Sequence, residues 1–141
     1  MAADEAVVCD ASVLAAIAFA ERRSLEAQAL ARSRRLLAPS LLRYEMAQVA
    51  VRKCASAPDD AVRVAQAFAA SLRLPVRLLV PSWSEVVELA RAHGLSAYDA
   101  SYLQLALELR VPLATLDQLL GEIAETLGVR ATPRGTESAR P

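Results

Sequence analysis

The stretch VVCDASVL, residues 7–14, decides how this chain is read. Three apolar residues run directly into an aspartate, and apolar residues resume on its far side. AVVC (6–9) lacks the alternation of a half-exposed strand, so it predicts a strand covered on both faces, as in a parallel sheet. The segment after Asp10, SVLAAIAFAERR, has helical spacing. Asp10 therefore stands where a buried strand hands over to a helix. An aspartate there can cap the helix by accepting bonds from its first-turn N–H groups. It can equally serve a site beyond the carboxyl end of the strand.

Outward from this junction the same alternation repeats. SLEAQALARSR (24–34) predicts a second helix and RLLA (35–38) a short strand. Pro39-Ser40 follows, with Ser40 as the expected N-cap of LLRYEMAQVAVRK (41–53). Pro58-Asp59-Asp60 opens a helix to about Leu72, with both acids at the positive end of its dipole. VRLLV (76–80) is the next strand. Ser82 with Glu85 matches a capping box for a helix to His93, and Gly94 stops it. Ser96 with Asp99 caps AYDASYLQLALEL (97–109). VPLATL (111–116) reads as a strand, DQLLGEIAETLG (117–128) as a helix and VRAT as an edge strand. The order predicts α/β architecture: three layers, α/β/α, around a central parallel sheet of four or five strands. The polar last ten residues, TPRGTESARP, are expected to be a disordered tail, so that one domain spans residues 1–131.

Composition narrows the class. The chain has 141 residues, enough for one domain with a real core. It is 55% hydrophobic but only 4% aromatic, so Ala, Leu and Val must build that core. Formal net charge is zero, which argues against coating nucleic acid by bulk charge and leaves a local basic patch open. Lys53 is the single lysine among sixteen basic residues, an arginine bias read as compositional. Cys9 and Cys54 have no CxxC spacing and are expected to be small core residues. The start, MAADEA, lacks the basic flank and apolar core of a signal peptide. No apolar run reaches the ~18–20 residues that cross a bilayer, so a cytoplasmic location is expected.

Four acids stand apart from surface charge. Asp10 and Asp117 end strands, Asp99 begins a helix, and Glu45 lies among apolar neighbours in RYEMAQVA without a base on its i+4 step. Asp10, Asp99 and Asp117 each have an alternative reading as helix caps. A parallel sheet nevertheless brings strand ends and helix starts to one edge. Two carboxylates ~4 Å apart repel by about 4 kcal/mol at an effective dielectric near 20, so a cluster of them calls for protons or cations. Oxygen ligands without His or Cys suit Mg²⁺ or Mn²⁺. Two such ions roughly 3.5–4 Å apart can activate water and steady the leaving oxygen in phosphodiester hydrolysis.

On these motifs the chain resembles the PIN-domain family, and within it the VapC ribonuclease toxins of bacterial toxin–antitoxin pairs. The resemblance is carried by VVCDASVL, APSLLRYEMAQV and LSAYDASYLQLALELRVPLATLDQLL, and covers roughly residues 6–130. It implies a Mg²⁺- or Mn²⁺-dependent endoribonuclease acting by in-line attack of water, with 5′-phosphate and 3′-hydroxyl products. It makes Asp10, Glu45, Asp99 and Asp117 the catalytic acids and metal ligands, with Asp10 and Asp99 as the most direct ligands. Ser12 and Thr115 match hydroxyl positions that orient water or a carboxylate. Gln48 stands where the family often has Asn. The implied partners are RNA, a cognate antitoxin and a second copy of the chain. An apolar surface over Leu14–Phe19 and Leu25–Leu30 would suit either protein partner.

RNA grip must come from elsewhere. Arg32, Arg34, Arg35 and Arg43 bracket the second predicted strand and could meet phosphates, and Arg52 with Lys53 is a further pair. Tyr98 and Tyr102 are one helical turn apart and are expected to pack. Trp83 is expected to anchor a helix start, and His93 to sit at a helix end without catalysis. A haloacid-dehalogenase-like phosphatase would need a second Asp where Ser12 stands. A receiver domain would need a late strand-end Lys, and Lys53 is badly placed for it. The remaining alternative is a PIN-like module that binds RNA or antitoxin without cutting.

Overall fold

The computed structural model describes residues 5–32 and 34–133. Five strands form one parallel sheet in the order β3-β2-β1-β4-β5. They are β1 (Ala6–Cys9), β2 (Arg35–Pro39), β3 (Val76–Leu79), β4 (Leu113–Ala114) and β5 (Ala131–Thr132). The helices are α1 (Ala11–Ala18), α2 (Ser24–Ala31), α3 (Leu42–Ser56), α4 (Ala61–Ser71), α5 (Trp83–His93), α6 (Ala97–Leu109) and α7 (Gln118–Thr126). This is the expected three-layer architecture.

The apolar run before Asp10 follows from its place in the middle of the sheet. Val7, Val8 and Cys9 are fully buried, and β1 is hydrogen-bonded to β2 on one side and β4 on the other. α6 packs on β1, β2 and β4 and carries α5, while α1 packs with α2, α3 and α4. Tyr102, Leu103, Leu105 and Ala106 of α6 meet Val13, Leu14 and Met46 in a common core. Leu14 therefore belongs to the interior and offers no outer surface, whereas Leu25 is 81% exposed. Cys9 is buried, and Cys54 half-buried.

The ends of elements depart from the sequence reading where a tertiary partner intervenes. Ser40 does not cap α3. Its N–H donates to the Leu79 carbonyl at 2.9 Å, prolonging the β2–β3 ladder, and Leu41 takes the cap position without a side-chain bond. Ser82 and Glu85 form no capping box either. Gln104 inserts instead, accepting from the Ser82 N–H at 3.0 Å and donating to Glu85 at 2.8 Å. Pro58–Asp60 is a 3-10 turn before α4 rather than part of it. VPLATL contracts to Leu113–Ala114, although Thr115 N–H still donates to the Thr132 carbonyl at 2.9 Å while its hydroxyl bonds Asp10. Trp83 opens α5 but is 59% exposed and does not join the core. Thr132 lies in β5, so the sheet reaches one residue into the segment expected to be a tail; residues 134–141 lie outside the described residues.

Gly94 ends α5 as expected, with φ +65° and open space where a Cβ would stand. Gly94→Ala meets no clash, so its cost is the left-handed backbone alone. Urea unfolding should show a loss of about 1 kcal/mol.

Candidate active site

The strand order reverses at β1, where the chain runs out to β2 and β3 on one side and to β4 and β5 on the other. Such a switch point opens a crevice beyond the carboxyl ends of the strands. Cys9 pairs with Ala114, so the next residues, Asp10 and Thr115, emerge side by side. The Thr115 hydroxyl donates to Asp10 Oδ2 at 2.5 Å and the Ser12 hydroxyl to Asp10 Oδ1 at 2.5 Å. Each hydroxyl is itself held by backbone. Leu116 N–H donates to Ser12 Oγ and Asp117 N–H to Thr115 Oγ1, both at 3.0 Å. Asp10 Oδ1 also accepts from Val13 N–H at 3.2 Å, so the helix-cap role and the site role fall on one carboxylate.

The other acids reach this edge by the same logic of strand ends and helix starts. Glu45 lies in the first turn of α3, which follows β2, and Asp117 caps α7, which follows β4, by accepting from Leu120 N–H at 3.1 Å. Asp99 lies in the first turn of α6, whose far end feeds β4. The Ser96 cap of α6 forms as expected, with Oγ accepting from Asp99 N–H at 3.1 Å.

Electrostatics ties the four together. Burial pushes the Asp10 carboxyl up to about 6; bonds from Ser12, Thr115 and Val13 oppose this, and Asp99 adds to it. Glu45 is raised by burial, lowered in part by a bond from Tyr102, and raised again by Asp99 and Asp10. Asp99 is raised by burial and by Asp117, against the Ser96 bond. None of the ion pairs among the described residues uses any of these acids. The site is a concentration of like charge that no ion pair among the described residues compensates.

This donor set fits a hard divalent cation. All ligating atoms would be oxygens, and Asp10 is 5% exposed with no ion-pair partner among the described residues. Among the described residues no three His, Cys, Asp or Glu side chains close around one point, so the acids share an edge without forming a finished cage. Mg²⁺ commonly takes only one or two carboxylates directly and fills its shell with water and phosphate oxygens.

Three of the four expected RNA-contacting arginines lie elsewhere, while Arg43 sits in the first turn of α3 with Glu45. Arg35 pairs with Ala6 at the amino end of the sheet, so Arg32, Arg34 and Arg35 stand at the edge opposite Asp10. The Arg43 guanidinium donates to the Ser71 carbonyl at 3.3 Å. Lys53 pairs with Glu21 at 3.2 Å and lies over the Phe19 ring. Gln48 is exposed on α3 and makes no hydrogen bond to an acid among the described residues.

Two features escaped the sequence reading. Arg22 and Arg23 line a cavity of about 410 Å³ with Ser12, Ala15, Val49 and Leu116, and Arg23 donates to the Leu116 carbonyl at 3.2 Å. The doublet follows α1 closely, but only the loop's return to β4 shows its use. Tyr102 does more than pack: its hydroxyl donates to Glu45 Oε1 at 2.6 Å. Its position three residues after Asp99, on the same helix face, was the available signal.

Comparison with known proteins agrees with this geometry. A PIN-domain family profile matches residues 7–126. Ribonuclease VapC3 of Pyrobaculum aerophilum is 32% identical over 124 residues, spanning 82% of this chain and 92% of the relative. The crystal structure of PAE2754 from Pyrobaculum aerophilum superposes with a TM-score of 0.70 at 25% identity, covering 90% of this chain and 83% of that one. Mycobacterium tuberculosis VapC20, a sarcin-ricin loop cleaving toxin, shares the fold with a TM-score of 0.64 at 15% identity, covering 84% and 95%.

Proposed function

The chain belongs to the PIN-domain family, and on that premise we propose that it is a VapC-type endoribonuclease toxin dependent on Mg²⁺ or Mn²⁺. The observation that carries this reading is Asp10: a buried carboxylate at the carboxyl end of the central strand, gripped on both oxygens by hydroxyls and facing other acids. A bound divalent cation supplies the positive charge that offsets these acids and the substrate phosphate, and lowers the pKa of water.

The chain's own residues set the geometry. Ser12 and Thr115 hold Asp10 in one orientation, each braced by a backbone N–H. Asp99, Asp117 and Glu45 complete the negative edge against which water is oriented for in-line attack on phosphorus. The 3′ oxygen leaves, giving 3′-hydroxyl and 5′-phosphate ends. Arg22, beside Ser12, offers a phosphate contact next to the acids, whereas Arg23 is paired with Glu26 at 2.8 Å. A role for Arg32, Arg34 and Arg35 requires an RNA strand that passes beyond the acid-bearing edge.

The partners are a cognate antitoxin, which places a basic side chain against the uncompensated acids, and a second copy of the chain. The protein acts in the cytoplasm. Among the described residues no helix is long and apolar enough to cross a membrane.

A mixed RNA pool tests the reading. With Mn²⁺ the protein should yield fragments whose 5′ ends accept ligation as phosphates, and EDTA should return cleavage to background. RNA retained without cleavage under either metal would replace the nuclease by the binding module, a reading to which the open arrangement of the acids lends its one point of support.

A further inference from the structure

We infer that Tyr102 is a positioning residue of the acidic site, its hydroxyl holding the Glu45 carboxylate at the edge where Asp10 and Asp99 gather. The inference rests on the cation-dependent reading of that site and deepens it. Tyr102 is 1% exposed and lies in the core beside Leu103 and Leu105, yet its hydroxyl ends on Glu45 Oε1 at 2.6 Å.

Glu45 needs such a restraint more than Asp10 does. It has one more rotatable bond, it feels repulsion from both Asp99 and Asp10, and no basic side chain pairs with it among the described residues. Left to repulsion alone, the side chain would swing away from the other acids. Tyr102 opposes this with a neutral donor, which adds no charge that would compete with a cation. Only Oε1 is engaged; among the described residues Oε2 has no hydrogen bond. The helix supplies the alignment, since Asp99 and Tyr102 are three residues apart in α6 and project on one face. One helix thus carries an acid of the cluster and the clamp for another acid, which comes from α3. Partners that orient a carboxylate in this way typically change metal affinity or activity 10–100-fold when removed.

Tyr102→Phe keeps the ring and its packing and deletes the bond. Calorimetric titration of Mn²⁺ into the RNA-free protein should show affinity lowered about 10-fold, with thermal unfolding close to wild type. Because the hydroxyl acts through Glu45, adding Tyr102→Phe to Glu45→Gln should change Mn²⁺ affinity by less than about 2-fold. Equal losses in both backgrounds, or wild-type Mn²⁺ affinity in Tyr102→Phe, would overturn the assignment. Should Tyr102→Phe not fold, ¹³C-tyrosine spectra decide: Mg²⁺ should shift the Tyr102 Cζ resonance in the wild-type chain and leave it unmoved in Glu45→Gln, and a shift in both would overturn the clamp. Wild-type protein that binds Mn²⁺ but cuts no RNA removes the ribonuclease reading while the binding arm still decides Tyr102. Wild-type protein that binds no Mn²⁺ overturns both.

Discussion

Asp10→Asn is expected to lower metal-supported RNA cleavage by on the order of 10³-fold, about 4 kcal/mol of transition-state stabilisation. The substitution is nearly isosteric, and the bonds around it can be kept. The amide oxygen can accept from Ser12 and Val13 as Oδ1 does now, and the amide nitrogen can donate to Thr115 Oγ1, which has a lone pair to spare beyond the bond from Asp117 N–H. The loss is one negative charge at the most buried of the four acids, the group with the greatest leverage on a cation because the least water screens it. Single-turnover cleavage with saturating Mn²⁺ reads the effect, and circular dichroism confirms the fold. Cleavage at the wild-type rate would remove Asp10 from the mechanism.

The same substitution should stabilise the metal-free protein at neutral pH. Asp10 titrates near 6 in the folded chain, against about 3.9 for an unfolded aspartate. A carboxyl raised on folding favours the fold while protonated. Its contribution is complete below about pH 4 and is lost as pH rises through 6. The shift of roughly two units corresponds to on the order of 3 kcal/mol. Glu45 and Asp99 are raised as well and act with the same sign. In EDTA, urea unfolding from pH 3.5 to 8 should therefore show Asp10→Asn more stable than wild type at pH 7.5 by about that amount. The gap should close below pH 4. Mn²⁺ at pH 7.5 should restore wild-type stability through preferential binding to the folded state and do little for the variant. A difference between the two proteins that stays flat across this range would mean that Asp10 is well solvated. With the expected pH dependence, the acidic site is a local cost to stability that the rest of the fold carries, which is the usual relation between a charged site and its scaffold.

Local chemistry made much of this molecule legible in one dimension. AVVC reads as a buried strand because it is an unbroken apolar run with two β-branched residues, and its neighbours in the sheet bear this out. Asp10, Ser96 and Asp117 cap the helices they precede because an N-cap bond spans only two or three residues, within reach of the residue's own side chain. Gly94 ends α5 for a similarly local reason.

What the sequence could not settle depends on which distant group arrives first. Ser40 and Ser82 are sound caps in isolation, yet a strand partner takes the Ser40 N–H and Gln104 takes the Ser82 N–H. The arginines of residues 32–35 look suited to phosphate until the parallel register sets Arg35 opposite Ala6, a full strand length from Asp10. Arg22 and Arg23 look like a helix end until the loop brings them beside Ser12. The acids themselves show the division most clearly. Their identity and order are written in the chain, but nothing local brings residues 10, 45, 99 and 117 together. Only the sheet does so, because parallel strands release every following helix at one edge, and because Cys9 pairing with Ala114 leaves Asp10 and Thr115 side by side.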